Sequence, residues 1–299
     1  MPEVKSNGIT FHVQHLRSGD KTVVFIHGLV MDNLSSWYYT LANSVAQHAE
    51  VYLYDLRGHG RSERPPTGYT IDDQITDLYC LLDTLGVDHP VYLAGNSFGG
   101  VIALAFAVAH PERVAGLILI EAHVAVEGWG EVMAGGLNLA GLVLDDADVQ
   151  EWLDIQGGRK LNRMARNAEA LIWNSTLVKD LRDAPPFQER DLRRITCPTL
   201  AIYGEHSDVL DRARDLERLL PNCELQVFPH RTHSVIMEAT PEVRARVLAW
   251  LAAQPLGDRA KPAARAVETG DGTGKGARAR STSNKSADNK GRTWHGSSS

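Results

Sequence analysis

Gly95-Asn96-Ser97-Phe98-Gly99 has the pattern G-x-S-x-G, and its serine hydroxyl could attack a carbonyl carbon. Such a hydroxyl is a weak nucleophile near neutral pH. It needs a base to take its proton and a third group to orient that base. The pentapeptide alone is a weak signal. Here it follows Pro90-Val91-Tyr92-Leu93-Ala94, an apolar run suited to a buried strand, and precedes the alanine-rich stretch from Gly100 to Ala109. A strand, a sharp turn and a helix are what a nucleophile elbow requires, with small residues two places either side of the serine.

Two later loops carry the partners such a serine needs. Gly204-Glu205-His206-Ser207-Asp208 follows the apolar run Thr199–Tyr203, and Pro229-His230-Arg231-Thr232-His233-Ser234 follows Glu224–Phe228. The order serine, acid, histidine is the one expected when these groups project from the carboxyl ends of parallel strands.

The elements that must hold these loops are legible from periodicity. Asn7-Gly8 predicts a tight turn into a half-buried strand over Ile9–His15. Continuous apolar runs at 22–26, 51–54, 91–94, 114–120, 199–203 and 224–228 predict strands buried on both faces. Helical patterns at 37–48, 70–85, 98–110, 211–219 and 241–253 separate most of them. This alternation predicts an α/β fold built on a doubly wound, mostly parallel sheet. The alternation stops between His123 and Asp191. That stretch holds Trp129, Trp152 and Trp173, with helix-like pieces at 147–155 and 161–173, and is too long for a single crossover. It reads as a helical cap. The expected division is 1–122 and 191–253 for the core, 123–190 for the cap, and 254–299 for a tail.

Composition restricts the function classes. The 299 residues carry a net charge of −6, with 43% hydrophobic and 23% charged residues. Residues 254–299 hold nine Lys/Arg against four Asp/Glu, so residues 1–253 carry −11. An acidic body argues against nucleic acid as a partner. The basic, Gly/Ser-rich tail lacks the apolar residues to fold and is expected to be disordered and dispensable. No run of about 18 apolar residues appears, so no membrane span is expected. Cys80, Cys197 and Cys223 lack disulfide or metal spacing, and with no secretory leader in view the expected location is cytoplasmic. Nothing in the sequence indicates the oligomeric state.

Four motifs together make the chain resemble the α/β-hydrolases over roughly residues 8–253: Val24-Phe25-Ile26-His27-Gly28, Asp55-Leu56-Arg57-Gly58-His59-Gly60-Arg61-Ser62, the serine pentapeptide, and His233…Glu238…Pro241. The resemblance implies an α/β-hydrolase fold with Ser97 as nucleophile, Asp208 as acid and His233 as base. It places the histidine five before the glutamate, which favours His233 over His230. Glu121 stands at the other place where some relatives keep their acid. Arg57 and His59 fall in a loop that is mainly structural in that family. Oxyanion donors are expected from the backbone N–H groups of Leu29 and Phe98, whose side chains then also face substrate. His123 leaves a strand end as a candidate pocket residue or a structural histidine, and Trp129 is a candidate for the substrate wall. Leu29 follows His27-Gly28 directly, without the glycine run of many lipases.

Serine rather than aspartate at the elbow favours acyl transfer. The resemblance therefore implies hydrolysis of a carboxylic ester, thioester, lactone or activated C–C bond, with an ester leading. The Trp and Leu content of the cap suggests a largely apolar small-molecule substrate, and with no nucleotide or metal motif no cofactor or metal is expected. Thioesterase, C–C hydrolase and perhydrolase activity are alternatives on the same residues. A ligand receptor that keeps the pocket is the non-enzymatic alternative.

Overall fold

Apolar strands with no polar face must be covered on both sides, and the chain supplies two helical layers to do so. The computed structural model describes residues 3–16 and 19–255. The tail expected over 254–299 lies outside them, apart from positions 254 and 255.

Among the described residues one sheet runs β1 (Glu3–Ser6), β2 (Ile9–Leu16), β4 (Ala49–Tyr54), β3 (Lys21–Ile26), β5 (Val91–Asn96), β6 (Val114–Ile120), β7 (Thr199–Gly204), β8 (Cys223–Phe228). β1 and β2 pair antiparallel, as do β2 and β4, and every other pair is parallel. The chain leaves β3 toward β4 and leaves β5 toward β6, so the order reverses between β3 and β5. At such a switch point the two following loops part, and a crevice opens at the carboxyl edge.

Side chains alternate between the two faces, as the pleat demands. Val24, Ile26, Leu93, Leu117 and Leu119 join a core beneath α1 (Ile71–Thr84) and α2 (Phe98–Ala109). Val23, Phe25, Ile118, Ile120 and Ile202 join the opposite core with Trp37, Leu41, Val247 and Trp250. The α1 helix starts on a capping box in which Thr70 and Asp73 satisfy each other's backbone N–H groups.

Between β6 and β7 lie the helices α3 (Trp129–Asp145), α4 (Ala147–Ile155), α5 (Gly158–Trp173) and α6 (Leu177–Arg182). They touch the carboxyl-edge loops: Thr176 N donates to Pro66 O, Tyr69 N to the Asp180 carboxylate, and Phe187 N to Ala125 O. After β7 come α7 (Leu210–Leu219) and, last among the described residues, α8 (Thr240–Ala253).

Three elements depart from the sequence-based expectation. The helix expected over 37–48 is shorter and widens into a π-type turn at Tyr38–Ala42. The β1 edge strand has no signal of its own and forms by pairing with β2. The α3 helix contains four glycines, and its sequence carries no helical pattern of its own. A Cβ at Gly130 would strike the backbone of α6, and one at Gly141 would lie 2.6 Å from the Trp173 ring, so close helix packing accounts for two of them.

Arg57, expected to be structural, is buried and donates through Nε and Nη2 to both oxygens of buried Asp77 on α1, at 2.5 and 2.6 Å. Removing one member leaves an uncompensated buried charge. Asp77→Ala is therefore expected to cost about 3–5 kcal/mol in urea unfolding. A loss below 1 kcal/mol would show that the pair does not hold the β4 loop to α1.

Candidate active site

The turn after β5 is as sharp as its sequence suggested. Ser97 sits at φ +52°, ψ −115°, a conformation costly for any residue with a side chain. It persists because its surroundings leave no alternative. A Cβ on Gly95 would overlap the Gly99 carbonyl, one on Gly99 would overlap Ile26 O, and one on Gly100 would overlap Ala122 Cβ. Ser97 N is fixed by donating to Ile120 O at 3.0 Å.

The turn after β3 lies against this elbow, since a Cβ on Gly28 would come within 3.5 Å of Ser97 Cβ. Side chains clamp that turn. Gly28 N donates to Asp32 Oδ2 at 2.7 Å, and Val30 N donates to His59 Nε2 at 2.8 Å. His27 accepts Leu56 N at Nε2, so its proton is on Nδ1 and is donated to Gly28 O at 2.6 Å. By the same logic His59 donates Nδ1–H to Arg57 O. Burial, then the neighbouring His27, push the His59 pKa down to about 3, so it stays neutral while it holds the turn. Between the two tied amides, the N–H of Leu29 has no protein acceptor among the described residues. Phe98 N opens α2, where the first amides of a helix lack intrahelical partners. Both expected oxyanion donors therefore belong to turns that flank Ser97.

The loop after β8 brings His233 to the elbow. Its Nε2 lies 3.2 Å from Ser97 Oγ. Two carboxylates face its other nitrogen: Glu121 Oε2 at 3.2 Å and Asp208 Oδ1 at 3.5 Å from Nδ1. They differ in environment. The Glu121 side chain is fully buried, whereas that of Asp208 is 80% exposed. Glu121 is itself held, accepting from Gly204 N at 2.5 Å and from Ser207 Oγ, and its backbone φ is +51°. Neither contact has the alignment of a full hydrogen bond to Nδ1, but the Glu121 oxygen stands within hydrogen-bond reach and both carboxylates add their charge. Burial of the ring opposes its protonation. The Glu121 carboxylate and then Asp208 outweigh that, and hold the His233 pKa above its ordinary value.

His123 packs 5.4 Å from the His233 ring, centroid to centroid. Burial, then the neighbouring His233, lower its pKa to about 4, so it stands as a neutral ring beside the candidate base. Trp129 is buried and stacks on Phe98 with centroids 6.5 Å apart, and its indole N–H has no acceptor among the described residues. Trp152 and Trp173 are instead half exposed, so the tryptophan content of the insertion does not translate into pocket wall. His230 is absent from this constellation. It is exposed and contacts Glu205. A separate cavity of about 460 Å³ lies between the β3 and β4 loops and α5, lined by Val30, Tyr39, His59, Lys160 and Met164 among others, and contains neither Ser97 nor His233.

Comparison with known proteins agrees with this architecture. Residues 21–172 match the alpha/beta hydrolase fold family. The match includes Ser97 and Glu121 and ends before Asp208 and His233. Over 246 residues, or 74% of this chain and 84% of its own, a 2-hydroxy-6-oxononadienedioate/2-hydroxy-6-oxononatrienedioate hydrolase of Paraburkholderia phymatum is 30% identical. A dihydrolipoyllysine-residue acetyltransferase component of the acetoin cleaving system of Pseudomonas putida is 30% identical over 78% of this chain, which spans 64% of that protein. The solved structure of Est816, described as an N-acyl homoserine lactone degrading enzyme, superposes with a TM-score of 0.65 at 25% identity, covering 83% of this chain and all of that one.

The two carboxylates make separable contributions to the imidazole. Glu121→Gln removes the nearer, buried anion, so the His233 ring should titrate at a lower pH than in the parent protein. Asp208→Asn should shift it less, because solvent screens an exposed carboxylate. Ring-proton NMR across pH 5–9 reads both shifts directly. A larger shift in Asp208→Asn would reverse the order.

Proposed function

The chain belongs to the alpha/beta hydrolase family, and from that premise we propose that it is a cofactor-free serine hydrolase acting on an ester-type acyl substrate. The observation that carries this reading is the 3.2 Å approach of His233 Nε2 to Ser97 Oγ, with carboxylates on the far side of the same ring.

In the proposed cycle, His233 Nε2 takes the Ser97 proton as Oγ adds to the ester carbonyl. The amides of Leu29 and Phe98 receive the oxyanion as it forms. Collapse expels the alkoxide, which leaves with the proton held on Nε2, and the acyl group stays on Ser97. Water then attacks the acyl-enzyme, gives its proton to His233, and the carboxylic acid departs with Ser97 restored. The imidazolium formed twice per turnover is stabilised by Asp208 from the solvent side and by Glu121 from within. A raised His233 pKa is consistent with a strong base whose competence is lost as pH falls through that pKa.

Phe98 and Trp129 are buried and stacked on each other, so the largely apolar acyl group is part of the proposal and rests on neither side chain. C–C bond hydrolysis is the second reading, favoured by the 30% identity to the Paraburkholderia hydrolase. Thioester cleavage and perhydrolysis would use the same three residues. No helix among the described residues is long and apolar enough to cross a membrane. The three free cysteines fit the reducing cytoplasm.

Treatment with a fluorophosphonate is expected to leave one adduct, on the peptide containing Ser97. Ser97→Ala and His233→Ala should each lower p-nitrophenyl ester turnover by about four to six orders of magnitude, because the groups act as a unit. His230→Ala should retain most of it. A panel adding acyl thioesters and vinylogous diketones ranks the alternatives by kcat/KM. Tight ligand binding with no turnover and no adduct would instead identify a receptor.

A further inference from the structure

Glu205, His206 and His230 form a cluster that the proposed hydrolysis leaves unused. One ligand atom from each lies within 4.8 Å of the other two, and all three side chains are exposed. Glu205 and His206 begin the loop after β7, and His230 belongs to the loop after β8. Adjacent parallel strands thus deliver them to one edge of the sheet.

The backbones beneath them are already locked together. Glu205 N donates to Phe228 O at 2.9 Å, and His206 N donates to Arg231 O at 2.8 Å. Glu205 Oε2 accepts from His230 N at 2.8 Å and lies 3.5 Å from His230 Nδ1. The His206 and His230 rings stand 6.0 Å apart, 37° from parallel. His230 has φ +57°, a left-handed backbone uncommon for a residue with a side chain. Tetrahedral ligation at about 2.0–2.2 Å places ligand atoms roughly 3.3–3.6 Å apart. Exposed side chains can close that gap.

We propose that Glu205, His206 and His230 bind a divalent transition cation of the zinc type, with solvent completing its shell. Two imidazoles and one carboxylate suit zinc and its neighbours, whereas magnesium and calcium favour sites made of oxygen alone. The bound ion would cross-link the β7 and β8 loops. Asp208 lies two residues beyond His206 and His233 three beyond His230, so the clamp fastens the roots of the segments that carry the candidate acid and base. Metal binding at these three residues requires no hydrolase activity of the chain.

The test titrates Zn²⁺ into the metal-free full chain against a chromophoric chelator, in parallel with a His206→Gln/His230→Asn variant. Asparagine tolerates the left-handed backbone at that position. The parent chain should take up one more equivalent of Zn²⁺ than the variant at micromolar free metal, and Mg²⁺ should not compete for it. Loss of outer-shell partners alone costs about 10–100-fold in affinity, so loss of two ligands should cost at least about tenfold. Ester turnover by the metal-free variant should match that of the parent. Should the double variant fail to fold, Glu205→Gln is the replacement arm, since its amide oxygen can still accept His230 N–H, and the same tenfold loss is expected. Equal stoichiometry and affinity in parent and folded variant would overturn the proposal.

Discussion

A chain reversal with no room for side chains is the constraint on which everything else rests. The β5 strand must turn into α2 at the point where the sheet order reverses, close against β3. Ile26 O and the Gly99 carbonyl occupy the space that side chains on Gly99 and Gly95 would need. The positive φ at Ser97 follows from that squeeze. The strain is held by a sheet buried on both faces, so it cannot relax without opening the core. The same squeeze sets the β3 turn beside the serine, where two amides flank one hydroxyl.

Around that fixed point the electrostatics are graded by depth. Glu121 is sealed in the interior with its oxygens already hydrogen-bonded, and Asp208 reaches in from solvent. An interior charge acts through a lower effective dielectric than an exposed one at similar distance. The two anions are therefore unequal partners for His233, despite separations that differ by only a few tenths of an ångström. His59 and His123 are kept neutral by burial and by neighbouring histidine, and so shape the site without adding positive charge to it.

Much of this was legible in the sequence because local pattern and tertiary role agree. The strands at 22–26, 91–94 and 114–120 are apolar runs that only a doubly covered sheet can use, and they form within a residue or two of the expected bounds. The glycines of the elbow could be read mechanically. The α3 helix could not, because Gly130 and Gly141 look like helix breakers until the neighbours they accommodate are known. The relative weight of Glu121 and Asp208 was also beyond the sequence. The family resemblance points to both carboxylates, but burial is a property of the assembled fold. The same holds for Glu205, His206 and His230, which share no ligand spacing along the chain and meet only because β7 and β8 are neighbours.

Glu121 is also the first residue after β6, and its backbone turns left-handed there, where the chain leaves the sheet for the helices that follow. The insertion is thus rooted at a residue whose side chain bears on the imidazole. The peptide that aims a buried carboxylate at the His233 ring is therefore also the one by which the chain leaves the sheet.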